Sequence, residues 1–264
     1  MNAAEMLICE NGRRSLESLL QPIRGLAGLK SDNLGLFDIS GEKYFIPRFS
    51  FRGLNNGDPI RIGIFGTIHG DEPVGALAIV QLLAELAADP ELAEDYQIFA
   101  YPVCNPTGFE DNTRNSRSGR DLNREFWKDS TQAEVQILEN ELRTQHFQGL
   151  IQLHADDTSE GVYGFVRGAT LTENLLRPAL REAGKILPRN NNALIDGFAA
   201  RDGMIYDVYE GILAAPREVE PVPFEIILET PHHSPMDLQV AALDTAMRTI
   251  LKEYRSMISF AQNI

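Results

Sequence analysis

The chain is poor in cysteine and in positive charge, and both shortages narrow the class of protein. Only Cys9 and Cys104 occur in 264 residues, and neither lies in a Cys-x-x-Cys motif, so we expect reduced thiols rather than a disulfide framework. The 24 Lys and Arg residues are outnumbered by 38 Asp and Glu residues, which gives a formal net charge of −14. A field of this sign repels phosphate backbones and anionic lipids, so we predict no nucleic-acid or membrane partner.

Long apolar runs and several well-known motifs are also missing. The longest apolar window, Ala76–Leu86, is interrupted by Gln81 and Glu85 and is too short to cross a bilayer. The first residues lack the basic start and apolar stretch of a signal peptide, so we expect a cytoplasmic location. No G-x-G-x-x-G, G-x-S-x-G or G-x-x-x-x-G-K-[ST] motif occurs, which argues against a dinucleotide site, a serine-hydrolase elbow and a phosphate loop.

Apolar strand-like runs alternate with helical patterns through most of the chain. They predict strands at Pro59–Ile68, Tyr96–Val103, Leu150–Leu153 and Phe224–Leu228, and helices at Pro73–Ala88, Thr131–Thr144, Thr172–Ile186 and Met236–Ile258. Before them, Ser15–Leu29 has helical spacing interrupted by Pro22, and Leu34–Phe51 indicates two antiparallel strands. We predict a single α/β domain over residues 1–264, with a mixed, mostly parallel central sheet and helices on both faces. The N-terminal helix and strand pair, residues 1–55, belong to the same domain.

A histidine and a glutamate directly follow the first of these buried strands. His69 and Glu72, in His-Gly-Asp-Glu-Pro, are three residues apart, a spacing that lets an imidazole and a carboxylate point at one ion. Zinc needs a further ligand, and His154 also follows a predicted strand. Because the carboxyl ends of parallel strands meet at one edge, we predict one zinc ion per chain on these three side chains. His154-x-Asp156 and the His232-His233 pair could hold a second metal, although no spacing in the sequence fixes their geometry.

A zinc site with three protein ligands keeps a position open for water and needs a general base nearby. Glu229 ends an apolar strand and should reach the same edge of the sheet. Its carboxylate could take a proton from water and return it to a leaving amine. Glu225 is the competing candidate, although it lies further from the predicted edge.

The segment Asn105–Phe126 concentrates positive charge in an otherwise acidic protein. Its four arginines follow the strand Tyr96–Val103 and therefore belong to the same edge of the sheet; they are Arg114, Arg117, Arg120 and Arg124. Guanidinium groups placed there indicate recognition of a carboxylate or a phosphate.

Taken in order, these motifs resemble the M14-type zinc carboxypeptidases. The resemblance rests on HGDEP, NPTGF and TRNSRSGRDLNREF, followed by a strand-end histidine and a strand-end Leu-Glu-Thr, from His69 to Glu229. It implies a zinc carboxypeptidase fold and hydrolysis of the C-terminal amide bond of a small peptide. It also implies zinc on His69, Glu72 and His154, with Glu229 as the general base.

The resemblance assigns roles to the arginine-rich segment as well. It implies that Arg114 polarises the scissile carbonyl and stabilises the oxyanion, with Arg117 as the second match for that role. Asn123 and Arg124 would then bind the terminal carboxylate of the substrate.

Family members commonly cover the substrate with a tyrosine on a loop before the last catalytic strand. In this chain the corresponding loop offers three aromatic residues, and the register decides among them. We favour Tyr206, with Phe198 and Tyr209 as alternatives.

A second enzymatic function shares most of these residues. Zinc-dependent deacylases of the aspartoacylase and succinylglutamate desuccinylase kind use the same H-x-x-E, later histidine and D-L-N-R on N-acyl amino acids. The N-P-x-G and T-R spacing favours the carboxypeptidase. A non-catalytic binding protein is disfavoured because every ligand and Glu229 are present. In either enzyme the partner is a small peptide or acylated amino acid with a free carboxylate, and the sequence does not define the oligomeric state.

Overall fold

The computed structural model describes residues 7, 9–10, 12–54, 57–169 and 172–262. Its strands are β1 (Cys9–Glu10), β2 (Arg13–Arg14), β3 (Leu29–Ile39), β4 (Glu42–Arg52), β5 (Ile60–Gly66), β6 (Tyr96–Tyr101), β7 (Gly149–Asp156), β8 (Tyr163–Gly168), β9 (Leu194–Ile195), β10 (Phe198–Arg201), β11 (Met204–Ile205) and β12 (Phe224–Pro231). Its helices are α1 (Leu16–Leu20), α2 (Val74–Ala88), α3 (Pro106–Asp111), α4 (Ala133–Thr144), α5 (Glu173–Ala183) and α6 (Met236–Gln262).

Ten of the described strands form one mixed sheet, in the order β3-β4-β6-β5-β7-β12-β8-β11-β10-β9. The four central strands β6, β5, β7 and β12 are parallel. Antiparallel strands extend the sheet on both sides, through β4 and β3 on one flank and β8 on the other. The predicted α/β fold with a parallel centre is confirmed, and the N-terminal antiparallel pair joins this sheet as an edge.

Apolar side chains on both faces of the central strands explain why these strands are buried. In β5, Ile62 and Ile64 pack into the core that also contains α2, α5 and α6, whereas Phe65 packs into the opposite core with α4. A third apolar cluster lies along β8 and β12 around Phe165 and Ile227. Helices therefore cover both faces, as the near-continuous apolar strands require.

Two departures from the sequence predictions have local causes. The predicted helix Ser15–Leu29 stops at Leu20 and continues as a 3₁₀ turn over Gln21–Ile23, because Pro22 supplies no amide hydrogen. Strand β8 has no counterpart among the predicted elements, since glycines interrupt its apolar pattern. Gly164 is needed there, because a Cβ would come within 2.6 Å of the Ile227 carbonyl oxygen of β12.

The described residues contain no helix that is both long and apolar enough to cross a membrane. Cys104 is buried with a free thiol, and burial raises the pKa of that thiol. The side chain of Cys9 lies outside the described residues.

Helix α2 lies unusually close to the sheet, and this approach orients the loop that precedes it. A Cβ on Gly75 would come within 2.9 Å of the Leu153 carbonyl oxygen of β7 and 3.4 Å of the Cα atom of Gly66 in β5. Since Leu153 directly precedes His154, the contact sets the distance between the two segments that carry the predicted metal ligands.

Gly75→Ala tests this close approach. Alanine favours a helix over glycine by about 1 kcal/mol, but the clash is with backbone atoms that cannot rotate away. We expect the clash to win, with a net loss of about 1–3 kcal/mol in the free energy of unfolding measured with urea. Gln81→Ala, on the exposed face of the same helix, should stay within about 0.5 kcal/mol of the original protein. A stabilised Gly75→Ala variant would contradict the packing.

Candidate active site

The predicted metal ligands and the predicted general base meet at the carboxyl edge of the parallel strands. His69 and Glu72 lie in the loop between β5 and α2, and His154 lies near the carboxyl end of β7. Glu229 of β12 is the direct register partner of His154 on one side and of Tyr163 in β8 on the other. This edge is where ligands bind in open α/β sheets, so the topology brings together residues that are 160 positions apart.

The three predicted metal ligands form one compact, buried cluster. Within the described part of the chain, His69, Glu72 and His154 are the one group of His, Cys, Asp or Glu side chains whose donor atoms all lie within 4.8 Å of one another. The Glu72 carboxylate lies between the rings, with Oε1 2.7 Å from His69 Nδ1 and Oε2 3.0 Å from His154 Nδ1. Two imidazole nitrogens and a carboxylate are a donor set that fits zinc.

Asp121 contacts this cluster on the side of His69 that faces away from Glu72. Its Oδ1 lies 3.2 Å from His69 Nε2, which leaves Nδ1 of the same ring facing Glu72. Outer carboxylates of this kind fix the tautomer and orientation of a metal-binding histidine. Asp121 is the first residue of the D-L-N-R motif, although it is not among the predicted site residues.

Asn105 holds the loop that carries His69. Its Oδ1 accepts a hydrogen bond from the Gly108 amide at the start of α3, and its Nδ2 donates to the Ile68 carbonyl. The N-P-x-G motif therefore caps a helix and at the same time ties down the residue before the first ligand. In the sequence, the N-P-x-G motif supports the family resemblance, and the structure adds this local role for its asparagine.

The electrostatics of the cluster depend on Glu72. Burial alone would raise the pKa of Glu72, but the two imidazoles outweigh it and hold that pKa well below its usual range. Burial alone would lower the pKa of His69, but Glu72 and Asp121 raise it to about 9. For His154 burial dominates and lowers the pKa, so this ring favours its neutral, ligating form.

Glu229 faces the same pocket in a different environment. Burial and the neighbouring carboxylates of Glu72, Asp156 and Asp196 raise the pKa of Glu229 well above its usual value, while Arg114 opposes the shift. A carboxyl group whose proton affinity is raised in this way suits proton transfer near neutral pH.

The arginine-rich segment separates into residues at the pocket and residues away from it. Arg114 donates from Nε and Nη2 to Asp121 Oδ2, and its Nη1 lies 3.5 Å from Glu72 Oε1. Asn123 and Arg124 also line the pocket. Arg117, the second match for the Arg114 role, does not line it.

Arg117 is engaged in a separate network. It donates to the Asp111 carboxylate at 2.8 and 2.9 Å and to Glu42 and the Tyr44 hydroxyl at 2.7 and 2.6 Å. These contacts tie the segment to α3 and β4, so Arg117 stabilises the loop that carries the other arginines.

The pocket in front of the cluster has a volume of about 390 Å³. Its charged side contains Arg114, Arg124 and several carboxylates, and its apolar side is formed by Phe165, Ile212 and Ile227. Asn123 uses its Oδ1 to accept from the Leu213 amide at 2.8 Å, which leaves its amide NH₂ group to donate. A ligand could therefore find cationic and neutral donors next to an apolar wall.

Tyr209, and not the favoured Tyr206, lies at the pocket. Its ring stacks under the Arg124 guanidinium at 4.3 Å, and its hydroxyl donates to the Asp196 carbonyl. Tyr206 is half exposed, donates to Glu173 instead, and does not line the pocket. Phe198 packs edge to face on Tyr209 at 4.8 Å. Of the two tyrosines, Tyr209 therefore has the position from which a side chain could cover a ligand in this pocket, and its role stays a prediction.

Residues 59–186 match the family model of the succinylglutamate desuccinylase/aspartoacylase catalytic domain. No curated protein matches the chain. The fold is similar to that of a candidate metallopeptidase from Shewanella denitrificans, with a TM-score of 0.74, 22% identity and coverage of 90% of this chain and 89% of that one. A second such protein, from Shewanella amazonensis, gives a TM-score of 0.73 at 24% identity, covering 89% of this chain and 90% of the other.

A metallo-carboxypeptidase from Burkholderia cenocepacia has the same fold, with a TM-score of 0.70, 15% identity and coverage of 91% of this chain and 68% of that one. The family-model match confirms the resemblance to succinylglutamate desuccinylase and aspartoacylase, and the structural match confirms a carboxypeptidase-like fold. The matched family model describes the catalytic domain of hydrolytic enzymes, which confirms the prediction of an enzyme of this class.

Glu225, the competing candidate for the general base, is buried away from the pocket. It lies four residues before Glu229 on β12, where its Oε1 accepts from the Ala215 amide at 3.3 Å and its Oε2 is 3.8 Å from Arg167. Burial raises the pKa of Glu225 to about 7, against a partly compensating attraction from Arg167.

This shift predicts how Glu225 affects stability. A carboxyl whose pKa is raised in the folded state binds its proton more tightly folded than unfolded, so the protein loses stability as pH rises from about 4.5 to about 7. Glu225→Gln removes that loss. Its stability relative to the original protein should increase by up to about 3 kcal/mol between pH 5 and pH 8, measured by urea unfolding. The exposed control Glu160→Gln should change by less than about 0.5 kcal/mol at both pH values. An equal effect of Glu225→Gln at pH 5 and pH 8 would refute the account.

Proposed function

We propose that the protein is a zinc-dependent metallocarboxypeptidase that hydrolyses the C-terminal amide bond of a small peptide. The observation that supports this most is the convergence, in one pocket, of the His69–Glu72–His154 cluster, the Glu229 carboxylate and two guanidinium groups. The cluster alone would suit many metal enzymes. The guanidinium groups add a means of recognising a carboxylate beside the scissile bond.

His69, Glu72 and His154 would hold the ion, which when bound supplies a Lewis acid and lowers the pKa of water. Glu229 lies beside this cluster and would accept the proton of the attacking water. The same carboxyl would then donate the proton to the leaving amine, which its raised pKa favours. Arg114, held by Asp121, would place its guanidinium next to the developing oxyanion.

Arg124 would bind the terminal carboxylate of the substrate, with Asn123 as a neutral donor next to it. Stacking on Tyr209 fixes the plane of the Arg124 guanidinium, which favours a bidentate contact. The apolar wall of Phe165, Ile212 and Ile227 offers space for the side chain of the departing amino acid. These features favour a free amino acid as the leaving product, rather than an amine that has no carboxylate.

The alternative function is a zinc-dependent deacylase of N-acyl amino acids. The match of residues 59–186 to the desuccinylase/aspartoacylase catalytic domain favours it, because that segment contains His69, Glu72 and His154. The metal cluster and the carboxylate-binding arginine would serve both reactions. The two functions differ in whether the acyl side of the bond is a peptide or a small acid.

Glu229→Gln separates metal binding from proton transfer. We expect this variant to retain zinc and to lose turnover by about 10²–10⁴-fold, because the amide cannot accept the proton. His154→Ala should instead lose the metal itself. Zinc content by atomic emission and kcat on a cleaved substrate check both statements. Near-normal turnover of Glu229→Gln, or a full zinc complement in His154→Ala, would overturn the assigned roles.

Substrate choice tests the carboxypeptidase against the deacylase. Zinc-loaded protein is incubated with N-blocked peptides carrying free C-termini, the same peptides amidated, and several N-acyl amino acids, and products are read by mass spectrometry. We expect loss of the last residue from the free-carboxylate peptides alone. Cleavage confined to the N-acyl amino acids would establish the deacylase instead.

Arg124→Ala tests the carboxylate contact. A charge-assisted hydrogen bond of about 1.5–3 kcal/mol corresponds to a loss of about 10–100-fold in kcat/KM on the preferred substrate. Arg120→Ala is the matched control, because Arg120 belongs to the same segment, is exposed and lies outside the pocket. The control should keep its activity. Equal losses in both variants would show that Arg124 does not bind the carboxylate.

A further inference from the structure

The N-terminal strand β2 contacts the loop that joins the first two candidate metal ligands. Arg14 Nη1 donates a 2.9 Å hydrogen bond to the Gly70 carbonyl oxygen, 56 residues further along the chain. Gly70 lies directly after His69 and two residues before Glu72. A guanidinium donor to a carbonyl is a charge-assisted hydrogen bond, which is stronger than a neutral one.

The backbone of Arg14 is held in place by the helix that follows it. Ser15 follows it and caps α1 by accepting from the Ser18 amide, and Leu19 and Leu20 of that helix are fully buried in the core. The Arg14 guanidinium also lies over the Phe109 ring of α3, 5.8 Å from its centre. The position of this donor is therefore set by the core and by α3 rather than by the loop that it contacts.

Gly70 is the residue of this loop that no side chain can hold. Other contacts fix its neighbours: Asn105 donates to the Ile68 carbonyl, and the Glu72 amide donates to the His69 carbonyl. A Cβ at residue 70 would collide with the Gly108 backbone of α3, so no side chain can pack there. Residue 70 itself is held through its two polar groups: its amide donates to the Arg114 carbonyl at 3.3 Å, and its carbonyl accepts from Arg14. Glycine has the largest backbone freedom of any residue, so these two bonds restrict the relative position of His69 and Glu72.

We propose that Arg14 is a positioning residue for the metal centre: its hydrogen bond to Gly70 fixes the loop between His69 and Glu72 and thereby raises the affinity for zinc. The inference rests on the proposed function, since it takes these residues as zinc ligands. It goes beyond that function by including the hairpin of β1 and β2, which carries no ligand, in the formation of the site.

Arg13 provides a matched control. It is the preceding residue of the same strand, and its guanidinium pairs with Glu42 at 3.2 Å and Asp111 at 3.3 Å, away from the metal loop. Removing either arginine removes one guanidinium from the hairpin, but only Arg14 contacts the segment between the ligands. A general loosening of the hairpin should therefore affect both variants equally.

The experiment compares Arg14→Met, Arg14→Lys and Arg13→Met in the full chain, and measures the zinc Kd by competition with a chromophoric chelator. Methionine keeps an unbranched, flexible stem like that of arginine but has no group that can donate. We expect Arg14→Met to raise the zinc Kd about tenfold, the size typical for loss of an outer contact to a metal site. Arg14→Lys, which keeps a charged donor, should recover most of the affinity, and Arg13→Met should match the original protein.

The thermal midpoint of the metal-free protein separates positioning from folding. Arg14→Met and Arg13→Met should lower it by similar small amounts, while only the former changes the zinc Kd. An unchanged zinc Kd in Arg14→Met, or equal weakening in both methionine variants, would overturn the proposal. Failure of the unmodified protein to bind zinc would overturn the proposed function and this role with it, and is seen before any variant is made.

Discussion

A buried carboxylate, that of Glu72, lies between two imidazole rings, and the architecture of the sheet edge depends on keeping it there. Its oxygens contact Nδ1 of His69 and of His154, and Oε2 also accepts from the Ala155 amide at 3.1 Å. A buried charge without partners is very costly, so these contacts are required for the edge to fold. The same three donors are the ones that a zinc ion needs.

The other parts of the site are arranged around this cluster by a few shared residues. Asp121 contacts His69 through one oxygen and Arg114 through the other, so one carboxylate orients both a metal ligand and the group proposed for the oxyanion. The Gly70 amide donates to the Arg114 carbonyl, which links the ligand loop to the same arginine from the backbone side. A substitution of one of these groups should therefore alter the contacts of the others, and the effects of two substitutions should not be additive.

The parts of the fold that carry the metal ligands were predictable from local pattern. Continuous apolar strands such as β5 and β7, and a helix opened by Pro73, define the edge at which His69 and His154 meet. The short strands β9 to β11, of two to four residues each, are absent from the predicted elements. They pair with one another across the two-residue turns Asp196-Gly197 and Asp202-Gly203, which are a local hairpin signal. The parallel pairing of β11 with β8 is the part that no local pattern encodes.

For the site as well, local sequence patterns account for some residues and tertiary contacts for others. The structure brings to one pocket the residues that the sequence placed at strand ends or in the D-L-N-R turn, and it places Tyr209 there rather than Tyr206. Tyr206 and Tyr209 differ by three residues in an irregular loop, and stacking of Tyr209 on Arg124 is a tertiary contact that spacing does not encode. Asp121 is not among the predicted site residues because it follows no predicted strand, and its contact with His69, 52 residues away, is set by the tertiary fold.

The central claim is that His69, Glu72 and His154 hold one zinc ion at the carboxyl edge of the sheet. Anomalous X-ray diffraction from crystals of the zinc-loaded protein, collected on both sides of the zinc absorption edge, tests it most directly. The account predicts one strong peak per chain, within bonding distance of both Nδ1 atoms and the Glu72 carboxylate. A peak elsewhere, such as at His232 and His233, or no peak in zinc-loaded crystals, would contradict it.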